Sequence, residues 1–162
     1  MTTLAYSDGM LAADTQLSDE ALVYRVQKID LLSDGSLVGG AGNWGRAWRY
    51  LQWMKAGSID PAPKLKGATL LRIAPDETLW LNEGDGFYPL LNKNNVAIGS
   101  GAQAAMALME QGKTAVEAVK AVTVLDQNTS PPVQALTLPS YRGNGSSIRK
   151  AVRKKGKARD TS

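Results

Sequence analysis

The chain has 162 residues, 43% of them hydrophobic, which suffices for one domain with a real core and is ordinary for a soluble globular protein. It contains no cysteine and no histidine, so disulfides, thiolate metal sites, Cys nucleophiles, Ser-His and Cys-His triads and His-based metal sites are all excluded. The formal charge of +4 is unevenly placed: eight of the 19 Lys and Arg but one of the 15 acids lie from Ser140 onward, leaving a body with 11 basic and 14 acidic residues and a net charge of −3.

Without histidine, a base working near neutral pH must come from elsewhere. The α-amino group, with an ordinary pKa of about 7.7–8.0, is the candidate. No apolar run approaches the ~18 residues of a membrane span. No charged stretch leads into an apolar one at the N-terminus, so no signal peptide and no membrane segment are expected, and the cytoplasm is the expected location.

Residues 2–6 read as a short strand, Ser7-Asp8-Gly9 as a hairpin turn with Gly supplying a positive φ, and Met10–Leu17 as the returning strand. The hairpin brings Asp14 back towards the N-terminus; by itself Asp14 reads as an exposed strand-end acid. Leu22–Leu32 is a third extended run, with Leu22, Tyr24 and Val26 alternating on one face. Lys28 lies in its apolar second half, among Val26, Ile29, Leu31 and Leu32, where a lysine is expected to snorkel outward. Asp34-Gly35 is a turn and Ser36–Ala41 the next strand. Gly42-Asn43 ends that strand and opens a helix, on which Trp44, Ala47, Trp48, Leu51 and Met54 share one face as core or subunit interface. Gly42, just before the helix, is placed to point its N–H at a developing oxyanion or to serve the turn's conformation alone.

Residues 56–67, with Pro61 and Pro63, read as a loop, followed by strands over 69–74, 78–82 and 87–91. The acidic connection Glu83-Gly84-Asp85-Gly86 lacks the ligand pattern of a calcium loop. Val96–Gly101 is a buried strand running into a helix over 102–110; it lacks the Gly-Lys-Ser/Thr ending of a P-loop. Thr114-Ala115-Val116-Glu117 is a capping box that starts a second helix ending near Leu125. A turn over 126–132 leads to a last strand over 133–138. Residues 140–162 form a Gly-, Ser-, Lys- and Arg-rich tail, expected to be disordered and separate from a folded domain over 1–139. Paired sheets covered by helices give an α/β/β/α layering.

Six segments in this order, Thr2-Thr3-Leu4-Ala5-Tyr6, Ala12-Ala13-Asp14, Val26-Gln27-Lys28-Ile29, Gly39-Gly40-Ala41-Gly42, Ala97-Ile98-Gly99-Ser100-Gly101 and Asp126-Gln127-Asn128-Thr129, resemble the proteasome β-subunit and HslV peptidase family of N-terminal nucleophile hydrolases. The resemblance covers roughly residues 2–138. It implies an α+β fold, a four-layer α/β/β/α sandwich of two antiparallel sheets. It implies a threonine peptidase in which Thr2, exposed by removal of Met1, is the nucleophile and its own amine the proton acceptor. Lys28 would be buried and charged near the Thr2 hydroxyl, Asp14 would keep Lys28 ionised, and the Gly42 N–H would be the oxyanion donor. Ser100, Asp126 and Thr129 would orient the amine and the catalytic water. The same resemblance implies no cofactor, a peptide or unfolded polypeptide as substrate, a ring-shaped homo-oligomer and an ATP-dependent unfoldase as partner. The alternatives are a non-catalytic scaffold subunit of the same fold, and a role for the basic tail in binding nucleic acid or an acidic partner.

Overall fold

A computed structural model describes residues 2–19, 21–92 and 94–141. The basic tail lies, from residue 142 onward, outside the described residues. Strands β1 (Thr3–Ser7) and β2 (Met10–Ala13) form the expected hairpin. Asp8 and Gly9 at its tip have φ of 48° and 77°, and two successive positive values match the right-handed twist of the flanking strands.

Beyond Ala13 the chain departs from the expected single strand over 10–17. It breaks at Asp14-Thr15 and resumes as β3 (Gln16–Asp19). The run over 22–32 is likewise split, into β4 (Leu22–Arg25) and β5 (Ile29–Leu31). β3 and β4 pair only with each other, as a two-stranded ribbon. Leu22, Val23 and Tyr24 on that ribbon are all exposed, so the expected apolar face at 22, 24 and 26 covers no core in the protomer. Both breaks have long-range causes. The Asp14 carboxylate takes backbone N–H groups that a continuing strand would have offered to a neighbour, and the backbone around Lys28 bonds to other parts of the chain.

β6 (Leu37–Gly42) leads into α1 (Trp44–Lys55), whose first turn is capped by the Asn43 side chain accepting from the Arg46 N–H at 3.2 Å. The buried stripe of α1 is Ala47, Tyr50 and Leu51. Trp48, expected in the core or at an interface, is 51% exposed; the stripe is centred between positions 47 and 51, and Trp48 falls to its side. Trp53 stacks edge-on against Tyr50 and donates to the Asp60 carbonyl at 2.6 Å, tying down the loop over 56–67.

β7 (Ala68–Ile73), β8 (Leu79–Asn82), β9 (Phe87–Pro89) and β10 (Val96–Gly99) follow, then α2 (Ala102–Glu110), α3 (Ala115–Leu125) and β11 (Gln134–Thr137). The Thr114–Glu117 capping box forms as expected, with both reciprocal bonds present. Two antiparallel sheets result, one ordered β10-β1-β2-β11 and the other β5-β6-β7-β8-β9.

Strand alternation divides the apolar residues among three layers of core. Leu4, Tyr6, Leu11 and Ala13 of one sheet meet Ile29, Leu37, Leu71, Ile73 and Leu79 of the other. On the outer side of the first sheet, Ala5 and Ala12 pack under Ala105, Met109, Ala118, Val119 and Val122 of α2 and α3. On the outer side of the second, Val38 and Leu70 pack under Ala47, Tyr50 and Leu51 of α1. Each fully buried Leu or Ile contributes roughly 1.5–3 kcal/mol. The layering is therefore the expected α/β/β/α sandwich. No helix among the described residues is long and apolar enough to cross a membrane.

Candidate active site

The small residues of β1 and β2 let α2 and α3 approach the first sheet closely, and this approach places the Gly99-Ser100-Gly101 turn against the start of β1. Gly99 has φ +96°, and a Cβ there would lie 1.8 Å from the Thr2 carbonyl oxygen. A Cβ on Gly101 would lie 2.2 Å from Thr3 Oγ1. The two glycines allow the turn to grip the Thr2-Thr3 backbone, and the Ser100 N–H donates to the Thr2 carbonyl at 2.7 Å. Thr2 itself is 4% exposed.

On the other side of β1 stands Asp14, fully buried rather than exposed at a strand end. Its Oδ1 accepts from the Thr3 N–H and from Lys28 Nζ, each at 3.0 Å, and its Oδ2 accepts from the Gln16 N–H at 3.0 Å. Lys28 does not snorkel: it is 1% exposed, and the ion pair with Asp14 lies wholly inside the protein. Local composition favours an exposed lysine; a buried carboxylate with two backbone donors of its own overrides that preference. Burial pushes the Lys28 ammonium below its ordinary pKa of 10.5, with Arg25 adding to the effect and the Asp14 charge opposing it.

The third group is Asp126, just past α3. Its Oδ2 accepts from Ser100 Oγ at 2.7 Å and Thr129 Oγ1 at 3.0 Å, and its Oδ1 from the Asn128 N–H at 2.9 Å. Partial burial pulls the carboxyl pKa upward, but these three donors outweigh it and hold the group below the usual aspartate value. Thr129 Oγ1 also lies 2.7 Å from Thr3 Oγ1. Because the Thr129 hydroxyl donates to Asp126, Thr3 is the donor in that contact.

Thr2, Asp14, Lys28, Ser100, Asp126 and Thr129 thus converge around the first two residues of the described chain. Thr3 links them: its N–H reaches Asp14 and its hydroxyl reaches Thr129. Sequence reasoning missed this role, although the second threonine of Met1-Thr2-Thr3 was the available signal. Gly42 stands apart. It closes β6 with φ +87°, and a Cβ there would lie 2.5 Å from the Gly67 carbonyl oxygen. Among the described residues no hydrogen bond links it to the Asp14–Lys28 pair or to Thr2. Its strand does reach the site: the Gly40 N–H donates to the Lys28 carbonyl at 3.2 Å, and Gly39 packs on Leu4. Beside the Lys28 segment, a cleft of about 350 Å³ is lined by Thr15, Arg25, Val26, Gln27, Ile29 and Gln134, with β11 completing the wall. No group of three or more Asp or Glu among the described residues is disposed to hold a metal ion.

Two facing antiparallel sheets flanked by helices make up the proteasome β-subunit and HslV-like fold, and this chain has that fold. The particular solved structures it is similar to include Thiobacillus denitrificans BPH in complex with epoxomicin, with a TM-score of 0.62 and 16% identity over 84% of this chain and 98% of that one. Another structure of Thiobacillus denitrificans BPH gives 0.56 and 18% over 84% and 98%. Eukaryotic HslV from Trypanosoma brucei gives 0.60 and 20% over 83% and 99%. No family model and no curated protein matches the sequence.

Proposed function

We propose that the chain is a threonine-type peptidase that hydrolyses peptide bonds through Thr2 once Met1 is removed. The observation that carries this reading is the buried Asp14–Lys28 ion pair tied to the Thr3 N–H, one residue from the proposed nucleophile. A buried ion pair is a poor stabiliser, because desolvating both charges offsets most of their attraction. Its presence beside Thr2 therefore favours a chemical role.

In the proposed reaction the Thr2 hydroxyl gives its proton to the Thr2 α-amine and attacks the peptide carbonyl, while the Lys28 ammonium lowers the pKa of that hydroxyl. The tetrahedral oxyanion is held by the Gly42 N–H, a kind of contact typically worth ~3–4 kcal/mol. Collapse breaks the C–N bond, the proton passes to the departing amine, and an ester on Thr2 remains. Water, oriented by Ser100, Thr129 and Asp126 and deprotonated by the same α-amine, releases the acid. We extend the reading to a ring-shaped homo-oligomer in the cytoplasm, taking unfolded polypeptide from an ATP-dependent unfoldase.

The test is hydrolysis of a fluorogenic peptide library by protein whose intact mass shows Met1 removed. The expected outcome is turnover that is lost in Thr2→Ala and in Lys28→Ala; undiminished hydrolysis in both variants would overturn the proposal. A non-catalytic scaffold subunit of the same fold is the second reading, favoured by the near-complete burial of Thr2. Retention of Met1 in purified protein, with a defined oligomer by native mass spectrometry, would support it.

A further inference from the structure

β11 is an edge strand, and its first residue, Gln134, sits in register opposite Ala13, the last residue of β2. At this point the chain leaves regular structure twice: after β2, at Asp14-Thr15, and between β4 and β5, at residues 26–28. Asp14 and Lys28 in these segments are buried, and backbone groups around them need partners beyond the regular ladders. One pairing joins them directly, from the Val26 N–H to the Thr15 carbonyl at 2.9 Å.

The Gln134 carboxamide supplies three more. Its Oε1 accepts from the Lys28 N–H at 3.1 Å, and its Nε2 donates to the Asp14 carbonyl at 2.9 Å and to the Val26 carbonyl at 3.3 Å. An uncharged amide with two donors and one carbonyl acceptor suits this arrangement, because the three backbone groups present one donor and two acceptors. With the Gly40 N–H on the Lys28 carbonyl at 3.2 Å, the Lys28 backbone is fixed on both sides.

We infer that Gln134 is a positioning residue which, through one carboxamide bonded to the backbones of Asp14 and Lys28, sets the distance between their side chains. Gln134 touches neither side-chain charge; it acts through the two residues that carry them. The kinetic part of this inference rests on the peptidase reading, while the placement of Lys28 does not.

Two variants test it. Gln134→Met keeps the length and removes all three bonds. Gln134→Glu keeps an acceptor for the Lys28 N–H and turns the donor into a second acceptor facing two carbonyls. Among the described residues the charges facing Lys28 are Asp14 and Arg25; both variants leave those in place, but Gln134→Glu adds a carboxylate of its own, so the titration reads position in Gln134→Met. NMR of 13Cε-labelled lysine across pH follows Lys28 directly, and peptide hydrolysis is measured well below the lowest unfolding midpoint. In Gln134→Met the Lys28 titration is expected to move by at least half a pH unit. The expected kinetic effect is a fall in kcat of tenfold or more, with KM within twofold.

A loss of thermal stability with the Lys28 titration and kcat unchanged would reduce Gln134 to a structural residue and overturn the inference. If the wild type hydrolyses no peptide, the peptidase reading fails, and the Lys28 titration still decides the positioning role. Should neither variant fold, hydrogen exchange of the wild-type carboxamide decides. It is expected to be at least tenfold slower at Gln134 than at the exposed Gln103, and equal rates would refute the three-bond geometry.

Discussion

Removing one member of the Asp14–Lys28 pair should cost far more than removing both. Asp14 is fully buried and Lys28 is 1% exposed, at 3.0 Å. In Lys28→Met the Asp14 carboxylate keeps the Thr3 and Gln16 N–H donors but loses its counter-charge. In Asp14→Asn the Lys28 ammonium loses its counter-charge. Each single change is expected to cost about 3–5 kcal/mol, as for other buried pairs broken on one side. The double variant holds no buried charge. Its main loss is that one amide oxygen must serve two N–H donors formerly shared between two carboxylate oxygens, which costs about 1–3 kcal/mol. The cycle should therefore show a coupling of at least about 3 kcal/mol, at or beyond the upper end for contacting residues. With urea slopes of roughly 1–3 kcal/mol per molar, that separates the observed midpoint of the double variant from the additive expectation by at least about 1 M. Urea unfolding of the four proteins at pH 7 measures it. Additivity within about 0.5 kcal/mol would refute the view that the two charges form one buried, mutually dependent unit.

The Gly99 turn offers a second prediction: Gly99→Ala places a Cβ 1.8 Å from the Thr2 carbonyl oxygen at φ +96°, and the forced movement should cost at least ~1–3 kcal/mol. Thermal unfolding unchanged within error would show that the turn does not grip Thr2 as described. A third concerns Tyr6, whose phenol burial raises from 10.0 to about 12, helped by Glu77, Tyr141 and Asp8 and opposed by a hydrogen bond with the Gly9 backbone. The folded state holds this proton more tightly than the unfolded state. Its contribution is therefore complete below pH 10 and is lost as pH rises towards 12, roughly 2–3 kcal/mol in all. Subtracting the stability curve of Tyr6→Phe from that of the wild type should isolate this fall; a flat difference between pH 10 and 12 would contradict it.

Features fixed by neighbouring residues could be read from the sequence. The Asp8-Gly9 turn, the Asn43 cap before α1 and the Thr114–Glu117 box each rest on residues within four positions of one another. The breaks at Asp14 and at 26–28 could not, because their causes are distant: the Asp14 carboxylate finds an N–H 11 residues away, and the Lys28 N–H finds a side chain 106 residues away. The burial of Lys28 illustrates the same limit. Its neighbours favour a snorkelling lysine, and the six-segment resemblance rather than local chemistry pointed to the interior. Trp48 shows that helical spacing does not by itself place a residue in the core: of the two readings, core or subunit interface, the protomer removes the first by leaving the ring half in solvent. The candidate residues Asp14, Lys28, Ser100, Asp126 and Thr129 lie next to Thr2 and Thr3 in space. Thr3 and Gln134 act through backbone groups, and such roles leave no signature of residue type.

β1 is an interior strand of its sheet, held by β10 on one side and β2 on the other, and its residues feed two cores at once. Chain ends commonly fray and exchange their amide hydrogens early. Here residues 3–7 can open only when the sandwich opens, so their exchange should be governed by global unfolding. The threonine pair is thereby fastened to the most durable part of the molecule. Under the proposed peptidase reading, a polypeptide reaching Thr2 would meet a rigid surface, and selection among polypeptides would fall to whatever controls the approach to it.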